Sequence, residues 1–257
     1  MTPGQTFIAV DIGNSSTKLG WFDSPAAATG LPAPSFVADF RTGEVMPDAV
    51  VARLGAGTAL WRVASVHREW QRLLEEWVRK NRPADDFKIL TYRDLPLSVA
   101  LESPERVGMD RLAAAVAANV LREPQRPAIV VDAGSAVTVD LVSGEGAFQG
   151  GVILAGFRMQ AESLFGGADL LPLALLEPTD EPPAVIGKNT EGAIRSGLFW
   201  GAVGAVREVV ERMTAELGRE PHVYVTGGDL RRLAPLVGRQ AEFIPNMVLA
   251  GIRLAAD

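Results

Sequence analysis

The chain has 257 residues, a hydrophobic fraction of 47%, a net charge of −6 and no cysteine. This is enough apolar material for one large or two modest domains, and it excludes disulfides, thiol catalysis and cysteine-ligated zinc. The charge gives no reason to expect a nucleic-acid partner, and His67 and His222 are too few for a histidine-rich metal site. No apolar stretch is long enough to span a bilayer and no signal segment precedes the first apolar run, so a soluble cytoplasmic protein is expected, with no membrane partner.

Taken in chain order, Phe7–Val10 and Thr17–Phe22 read as two strands of a hairpin. Pro25 to Pro34 is an Ala/Pro/Gly connection, Ser35–Phe40 a third strand and Asp48–Leu54 a short helix. Trp61–Val66 is a buried-type strand. Glu69–Lys80 is an amphipathic helix with Trp70, Leu73, Leu74, Trp77 and Val78 inward. Phe87–Thr91 is another strand, and Asp110–Arg122 is an Ala-rich buried helix ended by Pro124. Glu123–Pro127 is a boundary, dividing the chain into domains 1–125 and 126–257.

Beyond it come strands at Ala128–Val131, Val137–Val142 and Phe148–Leu154, then helical segments at Phe157–Phe165 and Gly167–Leu175. Glu177–Pro183 is a Pro/acidic loop. Thr190–Leu217 is a long helix with Gly197, Gly201 and Gly204 near one face, either an interface or a packing surface within the chain. His222–Val225 is a strand leading into Thr226-Gly-Gly-Asp229 and a helix, and Asn246–Ala256 is a final helix. Strands followed by helices, twice over, make an α/β duplication. Neither a dinucleotide-binding Gly-x-Gly-x-x-Gly between strand and helix nor a Gly-x-x-x-x-Gly-Lys-(Ser/Thr) phosphate loop is present.

The two hairpins carry the chemistry. FIAVDIGNSSTKLGWF (Phe7 to Phe22) and AIVVDAGSAVTVDLV (Ala128 to Val142) align Asp11 with Asp132, Gly13 with Gly134, Ser15 with Ala136 and Thr17 with Thr138. A glycine in such a turn lets the backbone approach a ligand, N–H groups and hydroxyls can face phosphate oxygens, and the Asp can hold a metal ion. A nucleotide gripped between two related domains is the expectation. The plain alternative for each Asp is an Asx-type turn.

These residues resemble the actin-like ATPase superfamily that includes sugar kinases and Hsp70, and within it the type III pantothenate kinases. The motifs are Asp11-Ile-Gly-Asn-Ser15, Gly108-Met-Asp-Arg111, Asp132-Ala-Gly-Ser-Ala-Val-Thr138, Gly150-Gly-Val-Ile-Leu-Ala-Gly156, Asn189-Thr190 and Thr226–Gly228, in family order over nearly the whole chain. Four positions depart from the family pattern. Ala155 stands for Pro, Ser135 for Thr, Asn246 for Asp, and Leu101 for a Tyr that touches pantothenate.

The resemblance implies duplicated ribonuclease H-like domains with mixed sheets flanked by helices. It implies phosphorylation of pantothenate by ATP to 4′-phosphopantothenate, the first step toward coenzyme A. Asp11 would hold Mg²⁺, while Gly13, Asn14, Ser15, Lys18 and Ser135 would face the ATP phosphates; Gly227 and Gly228 would lie against the nucleoside. Asp110 would be the catalytic base, with an N-cap as its structural alternative. Arg111 would clamp the substrate carboxylate, with a structural ion pair as its alternative. Leu101, Gly108 and Met109 would line the pantothenate site, and Thr190 of a neighbouring subunit would complete it, which implies a homodimer. Asp132 would be either a second phosphate-side carboxylate or the ligand of a monovalent cation, K⁺ or NH₄⁺. An accessory protein without catalysis, or a kinase of another small hydroxy acid, remain the other readings.

Overall fold

In the computed structural model, residues 6–23, 30–44, 46–176, 181–228, 234–238 and 240–255 are described. The chain divides into two compact units, Met1–Leu121 with Asn246–Asp257, and Arg122–Pro245.

The first unit contains β1 (Thr6–Ile12), β2 (Ser16–Phe22), β3 (Phe36–Arg41), α1 (Asp48–Leu54), β4 (Ala59–Ser65), α2 (Arg68–Asn81) and β5 (Asp86–Ile89). The short strand β6 (Ser98–Val99), a 3₁₀ turn at Pro104–Arg106 and α3 (Met109–Leu121) follow. Its sheet runs β3-β2-β1-β4-β5, with β1, β4 and β5 parallel and β2 and β3 antiparallel to their neighbours. β1 is central and covered on both faces, which is why it reads as a near-continuous apolar run rather than an alternating one. One face carries Ile8, Val10, Ile12, Leu19, Trp21, Trp61 and Val63 against Val50 and Leu54 of α1 and Trp70, Leu74 and Val78 of α2. On α2 the inward stripe is the i, i+4, i+8 row, so Trp77 is only partly buried and Leu73, expected inward, is exposed at the flank.

The other face is closed by α3 and the last helix, α7 (Met247–Leu254), which the sequence division at residue 125 assigns to the C-terminal half. The joint between them is a close helix crossing. Leu112 to Ala118 are all buried, and a Cβ on Gly251 would come 1.8 Å from the Ala113 carbonyl oxygen. The buried Arg253 guanidinium lies over the Phe7 ring, 4.8 Å from its centroid.

The second unit contains β7 (Ala128–Ala133), β8 (Ala136–Val142), β9 (Ala147–Ala155), α4 (Phe157–Gly167), α5 (Thr190–Leu217), β10 (His222–Thr226), α6 (Ala234–Val237) and β11 (Ala241–Phe243). Its strands run β9-β8-β7-β10-β11, again a hairpin and a third antiparallel strand followed by two parallel strands. The order and direction of these five strands therefore repeat, so the two units share one α/β topology, with mixed sheets flanked by helices. Ile129, Val131, Val137, Val139, Val223 and Val225 pack on Phe157, Leu198, Phe199, Ala202, Val203 and Val206 of the helices.

The sequence reading differs from the structure at two further places. Residues 168–176 form no helix: Gly166 and Gly167 close α4, and Pro172 removes a helical N–H, leaving Leu170 88% exposed. β11 has no counterpart among the expected strands, because its three residues, with Ala241 and Phe243 packed on the core and Glu242 between them, are too few to show a period. Asp229, Ala256, the start of the helix after the Thr-Gly-Gly turn and parts of the 25–34 and 177–183 connections lie outside the described residues.

Candidate functional site

Two clusters form, one in each unit, at the carboxyl ends of the parallel strands, where open α/β sheets bind ligands. In the first unit Asp11 stands near the end of β1, with Lys18 of β2 and Ala64 of β4 as its Cα partners. Paired residues point to the same face, so carboxylate and ammonium share it. The Lys18 ammonium also lies 4.0 Å from Asp39.

The loop Gly13–Ser15 is held from behind. The Gly13 N–H donates to the Ser16 carbonyl (3.0 Å), the Thr42 hydroxyl donates to the Gly13 carbonyl (2.9 Å), and the Thr42 N–H donates to the Ser15 carbonyl (3.1 Å). The Thr17 and Thr42 hydroxyls are hydrogen-bonded at 3.0 Å. With these groups fixed, the exposed Asn14 and Ser15 are what the loop presents outward. Thr42 has no signal in the sequence, since it is one hydroxyl after an ordinary strand.

The segment Gly108–Arg111 reaches the same end of the sheet. The Val66 N–H donates to the Ile12 carbonyl at 2.9 Å, one residue beyond Asp11, and a Cβ on Gly108 would lie 3.6 Å from Val66 Cγ1. Met109, half-buried, is the first helical residue of α3, so Asp110 sits inside the first turn and not in the N-cap position. A carboxylate there is favoured by the helix dipole. Asp110 Oδ1 accepts the Arg111 N–H at 2.9 Å. A Cβ on Gly108 would stand 2.4 Å from that same oxygen, so glycine is the residue that leaves the carboxylate its place. Arg111 is half-buried beside it. Leu101, also half-buried, offers only an apolar side chain.

In the second unit Asp132 stands near the end of β7, with Thr138 of β8 and Thr226 of β10 as Cα partners. Three oxygen-bearing side chains thus form a row across adjacent strands. Thr138 is 9% exposed, and its hydroxyl is fully buried with no hydrogen-bond partner. The loop Gly134–Ser135 is clasped by neighbours: Gly134 N–H donates to the Ala136 carbonyl (2.9 Å) and Gly156 N–H to the Ser135 carbonyl (3.2 Å). A Cβ on Gly156 would lie 2.4 Å from the Ser135 carbonyl oxygen. Gly227 has φ +108, and a Cβ there would stand 2.2 Å from the Ala133 carbonyl oxygen. Backbone packing therefore accounts for Gly156 and Gly227, whereas a Cβ on Gly228 would meet nothing within 4 Å.

The hairpins differ in one respect that the aligned sequences conceal. Gly13 closes on Ser16, but Gly134 closes on Ala136, so the second loop is one residue shorter. A one-residue change of register reverses the face of every following side chain. Thr17, aligned with Thr138 by sequence, pairs with Ile12 and is fully buried on the core side. The residue that occupies Thr138's position in the first hairpin is Lys18.

Thr190 opens α5, exposed, behind the cap made by Asn189, whose Oδ1 accepts the Gly192 N–H at 2.7 Å. Neither cluster draws a residue from this helix. Along α5, Gly197, Gly201 and Gly204 face outward, and a Cβ on any of them would meet nothing within 4 Å. Among the described residues no three His, Asp or Glu side chains gather as a metal site, so a divalent cation would need phosphate oxygens beside a single carboxylate. His67 caps α2 by accepting the Trp70 N–H at 3.2 Å. His222 accepts the Glu123 N–H at 3.3 Å and stacks on Tyr224, and burial lowers its pKa. No helix among the described residues is long and apolar enough to cross a membrane.

The sequence profile of the type III pantothenate kinases matches residues 7–212. The type III pantothenate kinase of Desulfosudis oleivorans is 32% identical over 96% of this chain and 97% of its own. That of Syntrophotalea carbinolica is 32% identical over 96% of each. That of Paramagnetospirillum magneticum is 40% identical over 59% of this chain and 55% of its own. Among solved structures, glucokinase from an Antarctic psychrotroph aligns over 96% of this chain and 97% of its own, at 11% identity and a TM-score of 0.48.

Proposed function

The chain belongs to the type III pantothenate kinase family, and we propose that it phosphorylates pantothenate with ATP through Asp11, Asp110 and Arg111. The reaction gives 4′-phosphopantothenate on the way to coenzyme A. The primary hydroxyl of pantothenate attacks the γ-phosphorus, the bond from that phosphorus to the β–γ bridging oxygen breaks, and ADP leaves. Asp110 orients the hydroxyl and takes its proton. Phosphoryl transfer passes through a loose transition state, so the proton moves late and a carboxylate is basic enough. Arg111 pairs with the pantothenate carboxylate, which a guanidinium can hold by two parallel hydrogen bonds. Leu101, Gly108 and Met109 line that side. Asn14, Ser15 and Lys18 face the ATP phosphates, with Gly13 closing the turn that presents them; Ser135 contributes a hydroxyl, and Gly227 and Gly228 lie beside the nucleoside. Mg²⁺ at Asp11, when bound, supplies neutralisation of phosphate charge. Asp132 takes a monovalent cation, K⁺ or NH₄⁺.

The observation that carries this reading is the fit of Gly108 to Asp110, in which a missing Cβ leaves room for one carboxylate oxygen. A homodimer, with the partner subunit's Thr190 completing the pantothenate pocket, is supported by the open glycine face of α5. It is supported too by the exposed Met159 and Phe165 of α4 and Val185 and Ile186 before α5. The test is ATP consumption with and without pantothenate. Asp110→Asn should fold normally and lose at least about a hundredfold in kcat. Arg111→Lys should raise KM for pantothenate more than it lowers kcat. An Asp110→Asn protein that retains full rate removes Asp110 as the base.

A further inference from the structure

The buried hydroxyl of Thr138 is the one polar group of the second cluster that nothing in the fold accounts for. It is nine-tenths buried, it has no hydrogen-bond partner, and it belongs to a row in which Asp132 and Thr226 are its neighbours on the same sheet face. A hydroxyl buried without a partner is costly, and such groups in native proteins usually meet a water, an ion or a ligand. Strand propensity does not require it either, since valine fills the same volume on a sheet without the polar atom.

The hairpin duplication says what kind of ligand. In the first unit the position opposite Asp11 is Lys18, a cation built into the chain. In the second, the shortened loop puts Thr138 at the equivalent position, opposite Asp132. The same strand pairing therefore sets an Asp beside a lysine, whose ammonium lies 4.0 Å from Asp39, in one copy and beside a neutral hydroxyl residue in the other. We propose that Thr138 is a ligand, with Asp132, of a monovalent cation, at the register position that carries a lysine in the first hairpin. This rests on the reading of Asp132 as the monovalent-cation residue and adds to it the residue that makes the site need a free ion. An oxygen pair of one carboxylate and one neutral hydroxyl balances a single positive charge, which suits an alkali or ammonium ion.

The experiment measures cation binding without turnover. The thermal midpoint of the full chain is followed in KCl and in N-methylglucamine chloride of equal ionic strength, since an ion that binds only the folded state raises the midpoint with concentration. Wild type and Thr138→Ser should show a K⁺-specific rise, and Thr138→Val should need at least about tenfold more K⁺ for the same rise. Thr138→Lys, if folded, should lose the K⁺ response and turn over without K⁺. Thr138→Val responding as wild type overturns the assignment of Thr138. A folded Thr138→Lys that still requires K⁺ overturns its equivalence with Lys18. Absence of a K⁺-specific response in wild type and in Asp132→Asn alike would instead sink the underlying reading of Asp132.

Discussion

Replacing Gly108 by alanine separates the chemistry of Asp110 from the stability of the helix it starts. The added Cβ would stand 2.4 Å from Asp110 Oδ1, and the next nearest atom outside that carboxyl group, Val66 Cγ1, would be at an ordinary 3.6 Å. Relief therefore comes from the carboxylate, which must retreat by about 1 Å to reach van der Waals distance. That movement weakens the hydrogen bond from the Arg111 N–H, worth about 0.5–1.5 kcal/mol. The loss of unfolded-state freedom on going from Gly to Ala returns about 0.4–1 kcal/mol. The net change in stability is thus within about 1 kcal/mol, or a few degrees in Tm for a chain of this size.

The effect on rate is of another order. A misplacement of ~1 Å in a reacting group costs about a hundredfold, which is ~2.7 kcal/mol in the barrier. Gly108→Ala should therefore keep its melting curve and lose about two decades of kcat in a coupled ADP-release assay. In the Asp110→Asn background the same change should cost almost nothing further, because the group it displaces no longer acts. A Gly108→Ala enzyme within threefold of wild type, or equal losses in both backgrounds, refutes the argument.

The paired glycines of the Thr-Gly-Gly turn should part company in chemical denaturation. Gly227→Ala, with φ +108 and a backbone oxygen 2.2 Å from the new Cβ, should lose at least about 2 kcal/mol. Gly228→Ala has open space and should stay within ~0.5 kcal/mol, so any rise in its KM for ATP reports the nucleoside. Asp94 gives a pH signature. Its carboxylate accepts from Lys88 (2.6 Å) and from the Thr91 N–H and hydroxyl, which lower its pKa from 3.8 to about 2. The folded pKa lies below the unfolded one, so the stabilisation is fully present above pH 3.8 and is lost as pH falls through about 2. Asp94→Asn should cost ~1 kcal/mol, after allowance for solvent screening, in urea titrations at pH 7. The difference from wild type should close toward pH 2.

Most of the fold is legible in the sequence because β1, β4, β7 and β8 are buried strands, and apolar runs that short and that β-branched suit a covered sheet better than a helix. α2 and α3 are legible from period and composition. Residues 168–176 mislead because their leucines mimic a helical face, while a single Pro172 decides the outcome. The return of α7 to the first unit cannot be read locally, since it depends on Gly251 meeting Ala113 more than a hundred residues away. In the site, Asp11, Asp110 and Asp132 stand out by motif. Thr42 does not, because its role comes from a tertiary hydrogen bond. Thr138 is visible but misaligned: matching residue types pairs it with Thr17, and only strand register shows that Lys18 is its counterpart.

The return of α7 also sets an order of events. During synthesis, domains ordinarily fold as they emerge, N-terminal part first. Here β1 and α3 are made early but lack the helix that covers Gly20, Phe7 and Ala113 until residues 247–254 have been translated. The stretch 122–245 is continuous and can complete its own core sooner. The half of the chain that carries Asp11 and Asp110 is begun first and finished last, and a nascent chain halted before Met247 would hold the Asp11 hairpin on a sheet with one face covered by α3 alone.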